Sequence, residues 1–327
     1  MLPGTITDAS VSSAHEGRYR DIFRRLHAGH DRCAADEWLR EPCRRGGVPV
    51  APIVWSRRNG PWRQVPMLLV GAAPGNAGGR GSGDMGAHGT RIPFGGDIAG
   101  ANLDLLLRAV ALTRDDVFIT AALNRLPDQG GGEPGAAEMA RPMGAYPDSM
   151  AALRDTILAS GARLVVALGN VALRACVAAA AGRWRSAGGD FRLPGLRRLE
   201  AGGVRRGEAM PWPNGAGVDL PGPDAPFRSD WLRAWDAPPP RLLWLLHPSA
   251  QNMSPHAGVR TAFHRRMVET LAALRRAAAD AALALPVEPR AAARPSAPGS
   301  VYDTPEWRER VGDRHDALLD LWGRKGL

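Results

Sequence analysis

Two stretches of this chain combine residue types suited to touching a ligand. The apolar run Leu242–Leu246 stops at His247-Pro248-Ser249-Ala250-Gln251-Asn252, "HPSAQN". A histidine at a strand's carboxyl end, ahead of a turn dense in hydrogen-bonding side chains, stands where a ligand can be reached. A histidine that merely caps the turn is the plain alternative. The second stretch begins where the apolar run Met67–Val70 meets Gly71. It reads "VGAAPGNAGG" from Val70 to Gly79 and continues as "RGSGDMGAHGTRIPFGGD" to Asp97. A strand running into a glycine-rich loop points to phosphate or nucleotide binding. This loop, however, lacks the Gly-Lys-Ser/Thr ending of a P-loop, and its first residues carry almost no functional groups.

These stretches need a scaffold that brings them together. Four apolar runs, Val65–Val70, Val117–Ala122, Leu164–Leu168 and Leu242–Leu246, read as buried strands. Helical patterns fall at 99–112, 146–160, 169–181 and 257–283, and an earlier one at 14–29 carries Tyr19, Ile22, Phe23 and Leu26. Strand alternating with helix predicts a parallel sheet with helices on both faces. Ligands of such sheets bind beyond the carboxyl ends of the strands. The segments after Val70, Ala122 and Leu246 all emerge at that end, so they are expected to form one site.

Around this core, residues 1–60 are expected to form a helical extension packed on a domain spanning 61–284. Within that domain 183–240 is a long excursion rich in Gly, Pro, Arg and Trp, a length that usually signals function or mobility. Residues 285–300 form a Pro/Ala linker. A terminal helix over 301–327 would place Trp307, Val311, Leu318 and Trp322 on one face, with a disordered tail as the alternative.

Composition narrows the partners. The 327 residues carry a formal net charge of +9, and Lys325 is the only lysine among 42 basic side chains. Arginine presents a planar fork of donors matched to phosphate. Codon bias accounts for arginine over lysine, but not for the excess of positive charge, so nucleic acid is the leading partner. Cys33, Cys43 and Cys176 are too few and too scattered for a disulfide framework or a four-cysteine metal site. No run approaches the roughly 18 apolar residues of a membrane span, and the N-terminus shows no signal-peptide core. The expectation is a cytoplasmic protein of bacterial type, associated with the nucleoid and not with a membrane.

Four motifs in order, "GAAPG", "PFGGDIAGANL", "ALGNVAL" and "HPSAQN", resemble the uracil-DNA glycosylase superfamily over roughly residues 65–275. The first is similar to the Gly-x-Ala-Pro-Gly form of its iron–sulfur branches. Pro93–Gly100 resembles the Pro-Phe-Thr-Gly-Asp-x-Ser-Gly stretch of the fifth family, and "HPSAQN" its His-x-Ser-x-Gln-Asn. The resemblance implies a three-layer α/β/α fold with a central four-stranded parallel sheet, and base excision from DNA by hydrolysis. A base inside a duplex is unreachable and must be flipped into a pocket. On this resemblance Phe94 is the platform on which the base stacks. Asp97 polarises water and stabilises the cationic sugar, with helix capping near Ile98 as its rival role. His247 donates to the leaving base. Ser249, Gln251 and Asn252 hold a phosphate or fill the gap left by the flipped nucleotide. Gly71, Pro74, Gly75 and Asn76 bring backbone close to DNA.

The chain also departs from the family. The iron–sulfur branches need four cysteines, so no cluster and no other cofactor is expected. Strand cleavage by Schiff-base chemistry needs an amine nucleophile. Lys325 lies in the tail, which favours a monofunctional enzyme. The asparagine that reads uracil in the cluster-containing family follows Ile-Thr; here Ile119-Thr120 precedes Ala121, and Asn124 comes three positions later, an offset that faces the other way on a regular strand. A bulge or the strand's end would restore it as a base-reading candidate. Ala72 and Ala73 replace larger side chains on the wall of the base pocket. Small residues there would admit a substituent at C5 of a pyrimidine, as in the superfamily's anti-phage branch, which removes glucosylated 5-hydroxymethylcytosine. Ordinary uracil repair is the competing reading, and a base-reader without catalysis the second.

Overall fold

The computed structural model describes residues 8–26, 65–73, 98–124, 133–181, 195–212, 239–249 and 260–283, apart from a few positions within these spans, with Ala28, Phe94, Pro127 and Asn252 besides. The linker 285–300, the terminal segment 301–327 and most of the excursion lie outside them.

The elements in chain order are α1 (Asp8–Leu26), β1 (Met67–Gly71), α2 (Ile98–Ala109), β2 (Val117–Ala121), α3 (Ala136–Met139), α4 (Ser149–Ser160), β3 (Leu164–Leu168), α5 (Asn170–Ala181), α6 (Leu196–Ala201), β4 (Ala209–Pro211), β5 (Arg241–Leu245) and α7 (Arg260–Asp280). They form one sheet of order β2-β1-β3-β5-β4. The first four strands of that order run parallel. β4 pairs antiparallel with β5 along the far edge.

The sheet therefore has five strands and is mixed, where the apolar runs predict four, all parallel. β4 is only Ala-Met-Pro, too short to leave a periodic signal. Its pairing is dictated by the exposed edge of β5, and an edge is where a proline, which cannot donate to the ladder, is tolerated. It lies within the excursion, together with the short helix α6. Part of what reads as a long loop is thus regular structure.

Near-continuous apolar strands arise because both faces are covered. On one face Leu68, Val70 and Phe118 join a core shared with α1, α4 and α5. On the other, Met67, Leu69 and Ile119 pack with α2 and α7. The architecture is the expected three-layer α/β/α arrangement. Helix boundaries follow local chemistry: at the start of α4, Asp148 accepts a hydrogen bond from the Ala151 N–H at 2.8 Å, and Gly161 ends it in the left-handed region at φ 59°.

Helix α1 is fastened to this core at its end. The Ala145 N–H donates to the Arg25 carbonyl at 2.7 Å, one of the carbonyls a helix terminus leaves open. The Arg25 guanidinium pairs with Asp155 at 2.7 Å and lies 4.0 Å from the Tyr146 ring centroid. The Tyr146 hydroxyl donates to the same carboxylate at 3.1 Å. Burial first, then the charge of Asp155, pushes that phenol well up, so it stays protonated and remains a donor. Tyr19 stacks on Phe118 of β2, with centroids 4.8 Å apart and planes 7° from parallel.

Candidate active site

The chain passes from β1 outward to β2, then returns to lay β3 on the other side of β1. Strand order reverses between β1 and β3, and the carboxyl ends there open into the crevice that parallel α/β sheets use for ligands. Gly71 ends β1 at this crevice. A Cβ built on Gly71 would lie 3.0 Å from both Cε2 and Cζ of Phe94. The phenyl ring therefore rests directly on the strand's backbone, so close that a side chain at residue 71 would push it back. Phe94 itself adopts φ 54°, a left-handed conformation uncommon for a bulky residue. Such conformations persist where the surroundings enforce them, often at sites that use them.

Phe94 also meets His247, with ring centroids 5.5 Å apart and planes inclined by 37°. His247 follows β5, two strands away from β1. Between them β3 ends at Gly169, φ 94°, where an added Cβ would sit 3.3 Å from the His247 Cβ. The Gly169 N–H donates to the Leu245 carbonyl at 2.9 Å, joining the ends of β3 and β5.

The turn after His247 is held at two consecutive carbonyls. Asn252 Nδ2 donates to His247 O at 2.9 Å, and Asn102 Nδ2, from α2, donates to Pro248 O at 2.8 Å. The Asn252 backbone N–H donates to Ser249 O at 3.1 Å, closing the turn, and Ser249 is half-buried on it.

Asn124 is 0 % exposed, and neither atom of its amide has a hydrogen-bond partner among the described residues. Its position follows from the extension of the β1–β2 ladder. Ala122 N–H donates to Gly71 O and Leu123 N–H to Ala72 O, both at 2.9 Å, which carries the segment past the strand's end beside Ala72 and Ala73. Alternation stops there: Ala122 and Leu123 are neighbours in sequence yet both join the core on the α1 side. The offset that a regular strand would impose on Asn124 therefore does not apply. A buried amide with both ends open is costly in a native protein, and it is the state expected of a group whose partner arrives with a ligand.

Of the residues singled out from sequence, the structure brings Gly71, Phe94, His247, Ser249 and Asn252 to one end of the sheet. Ala72, Ala73 and Asn124 stand beside them through backbone pairing. Asp97, Pro74, Gly75, Asn76 and Gln251 lie outside the described residues. Two residues escaped the sequence reading. Gly169 lies inside the "ALGNVAL" segment without an assigned role. Asn102 occupies a position at helical spacing with Ala99, Leu103 and Leu106, and a polar residue at such a position was the available signal.

The closeness of this contact is testable. Gly71→Ala adds a methyl group where the Phe94 ring now lies. It is expected to lower the site's kcat/KM about tenfold or more, while the midpoint of thermal unfolding moves by only a few degrees. An unchanged rate would show that the ring position is immaterial.

The description that a family model carries for residues 58–275 is that of the uracil DNA glycosylase superfamily. No curated protein matches the chain.

Proposed function

The chain belongs to the uracil DNA glycosylase superfamily, and from that premise we propose that it is a monofunctional DNA glycosylase. It flips an abnormal pyrimidine out of DNA and hydrolyses its N-glycosidic bond to leave an abasic site. The observation that carries this reading is the contact of Phe94 with both the Gly71 backbone and the His247 ring. That contact supports reading Phe94 as an aromatic platform and His247 as a proton donor beside it.

The roles follow from the charge that develops. As the bond between C1′ and the base nitrogen lengthens, positive charge grows on the sugar and negative charge on the base. His247 donates to the base carbonyl as the anion forms, and Phe94 stacks on the base. Asp97, three residues past Phe94 and one before α2, supplies the negative charge beside the sugar. It also orients the water whose oxygen bonds to C1′. The open amide of Asn124 reads the edge of the base. The arginine-rich surface neutralises backbone phosphates, so affinity is expected to fall steeply with salt.

Ala72 and Ala73 are half-buried methyl-sized residues at the exit of β1. Their size supports a substrate larger than uracil: a pyrimidine substituted at C5, such as glucosylated 5-hydroxymethylcytosine of phage DNA. Hydrogen-bonding sites discriminate strongly by what they leave unfilled, so substrate identity is open to a direct test. Duplexes carrying uracil, 5-hydroxymethyluracil, 5-hydroxymethylcytosine or its glucosylated form are scored for abasic sites after mild alkali. Release of C5-substituted bases at rates above uracil is the expected result. Uracil release alone would eliminate the enlarged pocket and leave ordinary repair of uracil. Binding of all four without release would make the protein a base-reader.

A further inference from the structure

Asn102 is 1 % exposed in the second turn of α2, and its Nδ2 donates to the carbonyl of Pro248, 146 residues away. We infer that Asn102 is a positioning residue for base release, fixing where His247 stands relative to Phe94; this rests on the glycosylase reading of the site. Three observations lead to it.

The first is connectivity. Phe94 and Asp97 immediately precede α2, whereas His247 arrives from β5. The Asn252 amide holds His247 O from within the same turn, so it cannot tell the turn where α2 is. The Asn102 amide is a direct tie between the two parts.

The second is leverage. Proline fixes its own φ near −65°. With Pro248 O held by Asn102 and His247 O held by Asn252, the peptide plane between the two residues has little freedom left. Holding that plane holds the Cα from which the imidazole projects. A misplacement of about 1 Å at a reacting group costs on the order of a hundredfold in rate.

The third is the other end of the same amide. Asn102 Oδ1 is buried with no hydrogen-bond partner among the described residues. If the position served only to pack α2 on the sheet, leucine would fill it without leaving an acceptor dry. Among the described residues only the nitrogen of this asparagine is used, and the bond to the turn accounts for it.

The test measures single-turnover base release, KM, DNA affinity and thermal unfolding for the full chain and three variants. Asn102→Leu keeps bulk and loses the donor; Asn102→Asp keeps shape and sets a carboxylate against the Pro248 carbonyl; Asn102→Gln retains the donor on a longer arm. The expected result is a kcat loss of about 10- to 100-fold for the first two, with KM and DNA affinity within about threefold. Asn102→Gln should recover part of the rate although it packs worst. Full kcat in Asn102→Leu, or kcat falling only in step with melting temperature across the three variants, overturns the inference and leaves the glycosylase reading standing. No release of any base by the unaltered chain overturns that reading and this inference with it.

Discussion

His247→Ala is expected to slow base release by roughly 30- to 1,000-fold while leaving DNA affinity within about threefold. That range corresponds to about 2–4 kcal/mol of transition-state stabilisation, the usual worth of one donor aimed at developing negative charge. The separation of rate from affinity is the informative part. Negative charge appears on the base only as the glycosidic bond breaks, so a donor to it acts in the transition state and hardly at all in the bound ground state. The surroundings favour a clean result, because the turn is held at two of its carbonyls. Asn252 and Asn102 grip the His247 and Pro248 carbonyls, and both bonds survive truncation of the ring. Equal losses of affinity and rate, or a collapse of thermal stability, would assign His247 to the architecture of the turn.

The largest expected effect on stability lies where the end of α1 meets the turn before α4. Gly144 adopts φ 59°, and a Cβ there would fall 2.2 Å from the Arg25 carbonyl oxygen and 2.4 Å from that of Leu26. Both are backbone atoms at the last turn of α1, so neither can swing aside. Gly144→Ala must either rebuild the turn that bonds Arg25 or push α1 off its seat. Left-handed strain alone costs about 1 kcal/mol or more in a residue with a side chain. Adding the lost contacts of Tyr19, Ile22, Phe23 and Leu26 brings the expected loss to about 3 kcal/mol or more. In a domain of this size that lowers the melting temperature by about 6–12 °C. A shift under about 2 °C would show that α1 contributes little to holding the domain together.

What the sequence made legible follows from how each feature is encoded. Buried parallel strands must be apolar along their whole length, so Met67–Val70, Leu164–Leu168 and Leu242–Leu245 announce themselves without any partner being known. The ends of those runs, Gly71 and His247, therefore marked the site as well. β4 did not announce itself, because three residues on an edge acquire their conformation from the strand they join. Asn124 resisted for another reason. Period-two alternation locates side chains only while the strand lasts, and Leu123 packing on the same side as Ala122 records where it stops. Asn102 carries its meaning in a contact with Pro248 that no local pattern can express. Gly169 is similar: its lack of a side chain matters because of what stands opposite it.

That glycine has a further consequence. Neighbouring strands lie about 4.8 Å apart, so β1 and β5, with β3 between them, are separated by about twice that distance. Phe94 and His247 nevertheless come within 5.5 Å because the strand between them ends without a side chain at that level. The reactive pair therefore has no existence within any one supersecondary unit. A fragment ending short of β5 contains Gly71 and Phe94 but not His247, so it cannot form the contact between the two rings.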